Sequence, residues 1–301
     1  MNYQLLHAFS GHQGSVYSLA SDPVTNCFFS GAGDRIVARW SPENPGDGEL
    51  VARSTEAVYS LCFLDQSRQL LIGQASGGVH VVNIHNGVEE RLLHLHEAPV
   101  FSIISLPGTG QLVSLGGDGT MVVMEQDGLG IIHRIRLGDF KLRSMAVHPS
   151  GEYALVACGD GHIVRLQLPG FTIIDRFVSQ HPGFSVNKVI FSPDGSLIYT
   201  GGRDAFLRVF EADSLRQLAE IPAHNYAIYD IAFDPGASVF ATASRDKTVK
   251  IWNPASLSVV SRVEAGTGKG HVNSVNKLLW VGEGKLLSAG DDRNIRLWSF
   301  S

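Results

Sequence analysis

The stretch Ala223–Trp252, AHNYAIYDIAFDPGASVFATASRDKTVKIW, contains the local signals of three short β-strands joined by tight turns. An apolar segment is followed by the Asp-Pro-Gly turn at Asp234–Gly236, and a second apolar segment ends at a polar Arg-Asp-Lys turn around Asp246. A third segment alternates apolar and polar residues and ends at Trp252. Short β-rich segments bounded by Gly, Pro and Asp predict a meander of antiparallel strands.

The same pattern returns along the whole chain with a nearly constant period. Counted from the turn Asp, successive repeats are 42, 42, 42, 44, 42 and 46 residues apart, and a further apolar segment such as Leu257–Val263 follows the third strand. Seven repeats of four strands predict an all-β protein, a seven-bladed β-propeller with four antiparallel strands per blade. The aligned turn positions are Asp34, Ser76, Asp118, Asp160, Asp204, Asp246 and Asp292.

These repeats resemble those of the WD40 family, which begin with Gly-His and end with Trp-Asp. The Asp after each Trp is replaced here, so the spacing supports the resemblance more strongly than the dipeptide does. The resemblance covers essentially the whole chain, and we therefore expect residues 1–301 to form a single propeller domain. The matching residues are Gly11-His12 and Gly270-His271 at the start and Trp40, Trp252 and Trp298 at the end.

The two ends of the sequence indicate how the ring closes. The last repeat stops at Trp298–Ser301, directly after its third strand, and Tyr3–Phe9 has the character of a fourth strand. As in similar propellers, this N-terminal strand is expected to join the last blade. Removal of Met1–Ser10 should therefore destabilise the fold strongly.

Three repeats contain a His, a Ser or Thr, an Asp and a Trp at nearly constant intervals. A catalytic triad needs one exposed nucleophile beside an oxyanion hole, whereas this set recurs once per blade. The family resemblance implies instead a structural hydrogen-bond network from Trp to Ser or Thr to His to Asp, which stiffens a blade when all its groups are satisfied. Its members are His12, Ser30, Asp34, Trp40, His224, Thr242, Asp246, Trp252, His271, Ser288, Asp292 and Trp298.

The other four repeats lose parts of this set, and we expect their blades to depend on apolar packing. The third and fifth keep the His, the Ser or Thr and the Asp, the fourth keeps the Asp alone, and the second keeps none. The residues at these positions are His96, Ser114, Asp118 and Met124 in the third repeat, Val156, Asp160 and Leu166 in the fourth, His181, Thr200, Asp204 and Phe210 in the fifth, and Ile72, Ser76 and Val82 in the second.

Composition narrows the possible functions. The formal net charge is −5 and no run of Lys and Arg stands out, so we expect neither nucleic acid nor an anionic membrane as the partner. Cys27, Cys62 and Cys158 are far apart and indicate reduced thiols in a cytoplasmic protein. His94 and His96 have no further ligand cluster nearby, and the sequence shows no cofactor motif, so we expect no metal and no cofactor.

The repeat pattern also predicts which side chains surround the central channel on one face. The residue after the first apolar position of each inner strand should form one ring, and the residue before each turn Asp a second one. Aromatic and Arg side chains dominate interface energetics, and these rings supply both. The predicted partner-binding residues are Tyr17, Tyr59, Phe101, Arg143, Arg203, Tyr229 and Arg245; the other ring positions are Asn187, Asn276, Gly33, Ala75, Gly117, Gly159 and Asp291.

We therefore predict a non-catalytic scaffold that binds a protein or peptide partner on this top face, as a monomer or as a subunit of a larger complex. In this hypothesis an arc of three Arg residues binds acidic groups of the partner. The opposite side of the channel is an apolar surface formed by Tyr17, Tyr59 and Phe101. Three alternatives stay open: the ring residues only plug the channel, the channel binds a small molecule or phospho-ligand, or an enzyme uses the funnel as its active site.

Overall fold

The computed structural model describes residues 1–46, 48–181, 183–267 and 269–300, and within them it shows seven four-stranded antiparallel sheets arranged as the blades of a propeller. The predicted fold class is confirmed. One helical segment is present in these ranges, a 3-10 turn over Ala265–Thr267. The strands, in chain order, are β1 (Tyr3–Phe9), β2 (Val16–Asp22), β3 (Cys27–Ala32), β4 (Ile36–Trp40), β5 (Glu49–Arg53), β6 (Val58–Leu64), β7 (Gln69–Gln74), β8 (Gly78–Asn83), β9 (Val88–His94), β10 (Val100–Leu106), β11 (Gln111–Gly116), β12 (Thr120–Glu125), β13 (Ile131–Arg136), β14 (Leu142–Val147), β15 (Tyr153–Cys158), β16 (His162–Gln167), β17 (Thr172–Val178), β18 (Val186–Phe191), β19 (Leu197–Gly202), β20 (Phe206–Glu211), β21 (Gln217–Pro222), β22 (Ile228–Phe233), β23 (Phe240–Ser244), β24 (Val249–Asn253), β25 (Ser258–Val263), β26 (Val275–Trp280), β27 (Lys285–Gly290) and β28 (Ile295–Phe300).

Burial changes with the position of a strand in its blade. Blade 1 is β2–β5 and blade 6 is β22–β25, with the innermost strand first, and blades 2 to 5 follow the same scheme. The second strands are buried along nearly their whole length, because neighbouring blades pack on both of their faces. The outer strands, such as β9 and β13, are largely exposed. Stacked blades thus form the core, and the outer strands form much of the exposed side of the propeller.

The ring is closed by the first strand, as predicted. β1 pairs antiparallel with β28, so blade 7 consists of β26, β27, β28 and β1. Phe9 is 1% exposed and packs edge-on against Phe28 and Trp40 of blade 1, with ring centroids 5.1 and 5.6 Å away. The strand therefore joins the last blade by backbone pairing and the first blade by side-chain packing.

Hydrogen bonds run through the three complete sets in the order that the family resemblance implies. In blade 1, His12 Nε2 lies 2.7 Å from Ser30 Oγ, and its Nδ1 lies 3.0 Å from Asp34 Oδ2. The indole Nε1 of Trp40 donates to the same Ser30 oxygen at 2.7 Å. Blades 6 and 7 repeat these contacts through the Thr242 and Ser288 hydroxyls. Asp34 also accepts from the Gln13 backbone, which fixes the loop before the inner strand.

Blades 2 and 3 have hydrogen-bonded side chains in addition to their apolar packing. In blade 2 the amide oxygen of Gln74 accepts from the hydroxyls of Ser54 and Thr55 at 2.9 and 3.1 Å and lies 3.0 Å from His80 Nε2. Blade 3 keeps the His96–Ser114 contact at 2.8 Å, with buried Met124 in place of the Trp. A buried polar group needs a partner, and each of these blades provides one.

Blade 5 also differs from the sequence alignment. Thr200 bonds to Ser179 Oγ at 2.7 Å, not to His181, whose ring lies against Phe206 with centroids 5.6 Å apart. The insertion before the inner strand shifts the His out of register. Buried Arg208 forms a separate set of contacts by donating to Asp204 and Glu220, both at 2.8 Å. In blade 4, Asp160 Oδ1 accepts from the backbone N–H of His162 at 3.1 Å.

Each of the seven inner strands contains an irregularity at the same place. The pairing register between the first and second strands shifts directly after the first residue of the inner strand. A β-bulge of this kind leaves one residue without a partner and changes the direction of its side chain. The unpaired residues are Tyr17, Tyr59, Phe101, Arg143, Asn187, Tyr229 and Asn276.

Candidate functional site

The inner strands enclose a central channel of about 440 Å³. We call the face at which the inner strands begin the top face. At least two consecutive residues of every inner strand line the channel, the bulge residue and the residue after it. The upper ring consists of the seven bulge residues Tyr17, Tyr59, Phe101, Arg143, Asn187, Tyr229 and Asn276, and the second ring consists of Ser18, Ser60, Ser102, Ser144, Lys188, Asp230 and Lys277. The structure thus brings the first predicted ring together completely.

Four of the seven upper-ring side chains form one continuous stack. Tyr17 and Tyr59 lie nearly parallel with centroids 5.0 Å apart, and Phe101 meets Tyr59 edge-on at 5.7 Å. The guanidinium carbon of Arg143 lies 4.5 Å from the centroid of the Phe101 ring. Blades 1 to 4 therefore present a wall of three aromatic rings that ends in a cation, an arrangement that stabilises the charge through the π-face.

Arg143 occupies this position without a carboxylate. Within the described residues its guanidinium makes no hydrogen bond or salt bridge, and its Nε is buried and unpaired. Burial lowers the pKa of Arg143, while Tyr229 and Tyr59 act in the opposite direction. Since Arg stays protonated in proteins, the channel holds a poorly solvated positive charge.

The two Asn residues of the upper ring brace the ring. Asn187 Nδ2 donates to the Ile228 carbonyl of blade 6 at 2.9 Å. Asn276 Nδ2 donates to the Val16 carbonyl of blade 1 at 3.1 Å and to Asp291 Oδ1 at 2.7 Å. Both side chains link neighbouring blades, so blades 5 and 7 contribute structural support at the level where the others contribute aromatic or cationic groups.

The second ring is neutral on four blades and charged on three. Lys188 Nζ lies 2.9 Å from Asp230 Oδ1, and Lys277 Nζ lies 3.2 Å from Oδ2 of the same carboxylate. Burial by itself would raise the pKa of Asp230, but the two ammonium groups outweigh it and the pKa is lowered. Burial also lowers the pKa of Lys277. Two cations therefore share one buried anion.

The predicted arc of three Arg residues is not assembled in the channel. Arg203 and Arg245 are exposed and do not line it; each lies over an exposed aromatic ring, Phe184 at 6.0 Å and Tyr226 at 5.8 Å respectively. Their backbone N–H groups each donate 2.9 Å bonds to the loop that precedes the inner strand. We call the four residues Phe184, Arg203, Tyr226 and Arg245 the top rim. Of the second predicted ring, Asp291 alone reaches the channel.

Five residues of this surface escaped the sequence analysis, namely Lys188, Asp230, Lys277, Phe184 and Tyr226. A signal for them exists in the repeat alignment. The first three directly follow an upper-ring residue, and the two aromatic residues precede the inner strands of blades 5 and 6. The alignment did not reveal their relevance, because a regular strand would turn the residue after a channel residue away from the channel; only the bulge places both there.

Other classes of site are not seen in the described part of the chain. It contains no group of three or more His, Cys, Asp or Glu side chains placed to hold a metal ion. No helix in it is long and apolar enough to cross a membrane. Cys158 is buried, Cys27 and Cys62 are partly buried, and burial raises the pKa of the Cys62 thiol to about 11.

The family model described as WD domain, G-beta repeat, matches four segments of the chain, residues 3–41, 174–211, 215–253 and 263–299. These segments correspond to parts of blades 1, 4, 5, 6 and 7 and include all three complete hydrogen-bond sets. The two blades without a match are blades 2 and 3, in which the Trp position holds Val82 and Met124.

Comparison with curated proteins finds relatives of low identity. The mouse WD repeat and FYVE domain-containing protein 1 is 36% identical over 87 residues, 29% of this chain and 21% of its own length. Bovine Striatin-3 is 24% identical over 264 residues, 77% and 32% of the two chains. Bovine Pre-mRNA-processing factor 19 is 23% identical over 58% and 34%. The matches span only about a fifth to a third of these relatives.

Among solved structures, the WD40 beta propeller domain of Doa1 superposes with a TM-score of 0.87 over 99% of this chain and 97% of that one. The sequences are 19% identical. A likeness at this level of identity establishes the shared fold and leaves the binding properties of each protein to its own surface.

Proposed function

Because this chain belongs to the WD domain, G-beta repeat (WD40) family, we propose that it is an interaction platform that holds a protein or peptide partner on its top face and catalyses no reaction. Members of this family generally act as scaffolds, which supports the first half of the proposal. The fold alone does not define a function, so the argument depends on the chemistry of the top face.

The observation that supports this proposal most directly is the top rim beside the channel. Phe184 and Tyr226 are 39% and 59% exposed, and an Arg lies over each ring. Aromatic and Arg side chains are enriched in the energetically dominant parts of interfaces. The stacked wall of Tyr17, Tyr59 and Phe101 extends this surface into the channel, where a partner side chain can be enclosed.

The channel chemistry supports a binding role over a catalytic one. The described channel lining contains no His, Glu or Cys. Its buried carboxylate, Asp230, is held by two Lys side chains, and Oδ1 of the second carboxylate, Asp291, accepts from Asn276. A general base needs an available lone pair within hydrogen-bond reach of the substrate, and the contacts of Asp230 leave it poorly suited to that role.

The proposal is tested by affinity capture with a variant that reverses the exposed charges of the top rim, Arg203→Glu/Arg245→Glu. Both side chains are exposed, so the variant should keep the wild-type melting temperature. The matched control is Arg216→Glu, an exposed residue between β20 and β21 on the opposite face. The expected result is a protein recovered with wild type and with the control but lost with the rim variant.

The opposite result is equally clear. If the rim variant melts like wild type and recovers the same proteins in the same amounts, the partner site is not on the top face. If a substrate is found to be turned over and the turnover is abolished by Tyr59→Phe, the non-catalytic half of the proposal is wrong.

A further inference from the structure

The channel has an excess of positive charge inside a protein that is negative overall. Arg143, Lys188 and Lys277 line it together with two carboxylates, Asp230 and Asp291, whereas the whole chain has a formal net charge of −5. A concave site with an excess of one sign of charge attracts ligands of the opposite sign. The local charge of the channel thus selects for an anion.

The positive charges of these three residues are compensated by different groups. Lys188 and Lys277 are held by Asp230 at 2.9 and 3.2 Å. Arg143 on blade 4 has no such group among the described residues, only the face of Phe101. Arg143 is partly buried, and a charge removed from water is costly to the extent that it is not paired and hydrogen-bonded. Arg143 is therefore the cation that gains most from a ligand.

The groups around Arg143 suit an oxyanion. The guanidinium has several N–H donors in a planar fork that matches a carboxylate or a phosphate. The channel next to it is lined by the hydroxyl groups of Ser102 and Ser144 and by the phenols of Tyr59 and Tyr229, all of which can donate a hydrogen bond. The Phe101 ring holds the guanidinium in one plane, which reduces the entropy lost on binding.

The channel is open at the top face, and its volume of about 440 Å³ lies in the range of small-ligand pockets. Such a space accommodates one or two amino-acid side chains. A folded partner cannot enter it, but a side chain on an extended segment can, with the rest of that segment lying on the top rim.

We propose that Arg143 binds an oxyanion, a carboxylate or a phosphate, on a side chain that the partner inserts into the channel. This inference rests on the proposed function, since it names the chemistry that the top face recognises. Lys188 and Lys277 add a positive field below the ligand, and the aromatic wall of Tyr17, Tyr59 and Phe101 encloses its aliphatic part. Arg203 and Arg245 contact the flanking acidic residues of the partner segment.

The test uses fluorescently labelled nine-residue peptide pools with degenerate flanks and a fixed central residue, which is Glu, phosphoserine or Gln. Anisotropy titrations with the full chain should show that one or both acidic pools bind about tenfold or more tightly than the Gln pool, as expected for a desolvated charge pair. A better Glu pool identifies a carboxylate as the source of the oxyanion, and a better phosphoserine pool identifies a phosphate.

Three variants connect this preference with Arg143. Arg143→Gln should abolish the acidic preference, and Arg143→Lys, which keeps the charge but loses the fork, should retain part of it. Arg216→Gln on the opposite face removes the same charge and should leave the preference unchanged. The melting temperature of each variant is measured beside its titration, so that loss of binding is separated from loss of folding. If Arg143→Gln melts at a clearly lower temperature than wild type, Arg143→Lys is compared with wild type instead.

The inference is overturned if neither acidic pool binds more tightly than the Gln pool, including the case in which no pool binds, or if folded Arg143→Gln keeps the acidic preference. Its failure can be told from failure of the proposed function. If the top-rim variant still loses its captured partner, the proposed function is kept and only the binding of an oxyanion by Arg143 is rejected. If the top-rim variant also captures the partner like wild type, both proposals are rejected.

Discussion

Arg68 of blade 2 holds the Asp22 carboxylate of blade 1 with both terminal nitrogens, Nη1 to Oδ1 at 2.9 Å and Nη2 to Oδ2 at 2.7 Å. The carboxylate is fully buried, and its Oδ2 also accepts from Thr25. Burial alone would raise the pKa of Asp22, but the hydrogen bonds from Arg68 and Thr25 outweigh it and lower the pKa to about 2. This bidentate pair joins two blades at the face opposite the candidate site.

The pair predicts a specific loss of stability in acid. The folded pKa lies below the ordinary 3.8, so its stabilisation is complete above pH 4 and disappears as the pH falls through about 2. The contribution is on the order of 2 kcal/mol. Urea unfolding between pH 5 and pH 2 should show a flatter acid dependence for Asp22→Asn than for wild type. Exposed Asp127→Asn is the control, and an equal slope for Asp22→Asn and wild type would contradict the prediction.

The hydrogen-bonded sets should contribute measurably to stability. Thr242→Val keeps the side-chain shape but leaves His224 Nε2 and Trp252 Nε1 without the oxygen that they contact at 2.7 and 2.9 Å. Unpaired buried polar groups make a loss of about 2–4 kcal/mol in unfolding free energy the expected result. Thr200→Val in blade 5 removes only the Ser179 contact and should cost about half as much. Equal losses would show that the Trp and His bonds add nothing.

The closing strand offers a matched pair of substitutions. Phe9 is 1% and Leu6 43% exposed on the same strand. Phe9→Ala opens a cavity between blades 7 and 1, and we expect a loss of about 3–5 kcal/mol. Leu6→Ala should change the unfolding free energy by less than about 0.5 kcal/mol. Comparable values for the two variants, measured by urea unfolding, would mean that the strand does not seal the ring.

The shared carboxylate of the channel makes a further prediction. Asp230→Ala leaves two partly buried ammonium groups without the anion that they share, and should cost about 2–3 kcal/mol, the usual effect of losing hydrogen bonds to a charged group. Lys188→Met keeps Asp230 paired with Lys277 and should cost clearly less. The comparison fails if thermal unfolding ranks the Lys variant as the less stable of the two.

The sequence predicts the blades well because their signals are local and repeated. The turn Asp recurs in six of the seven repeats and the His and the Trp in some of them, always in the same order, and the resemblance to similar propellers assigned Tyr3–Phe9 to the last blade. The upper ring followed from the same alignment, because equivalent positions of a repeat occupy equivalent places in a ring.

What the sequence did not reveal depends on contacts across the ring. Lys188 and Lys277 are 89 residues apart and share Asp230 only because three blades converge on one axis. The substitute network at Gln74 was missed since it uses residue types outside the family pattern. Arg203 and Arg245 lie on the rim over Phe184 and Tyr226 and not in the channel, and the repeat alignment does not encode these contacts.

The bulge in every inner strand makes the stability of the backbone pairing independent of the side chains that line the channel. The seven bulge residues have no partner in the strand ladder, so the backbone bonds that maintain the ring do not depend on which side chains they carry. Apart from the bracing Asn187 and Asn276, these positions are free to diverge in evolution or to be redesigned as a set. Substituting the bulge residue of one blade after another could then change the binding specificity of the channel while the strand pairing of the propeller stays the same.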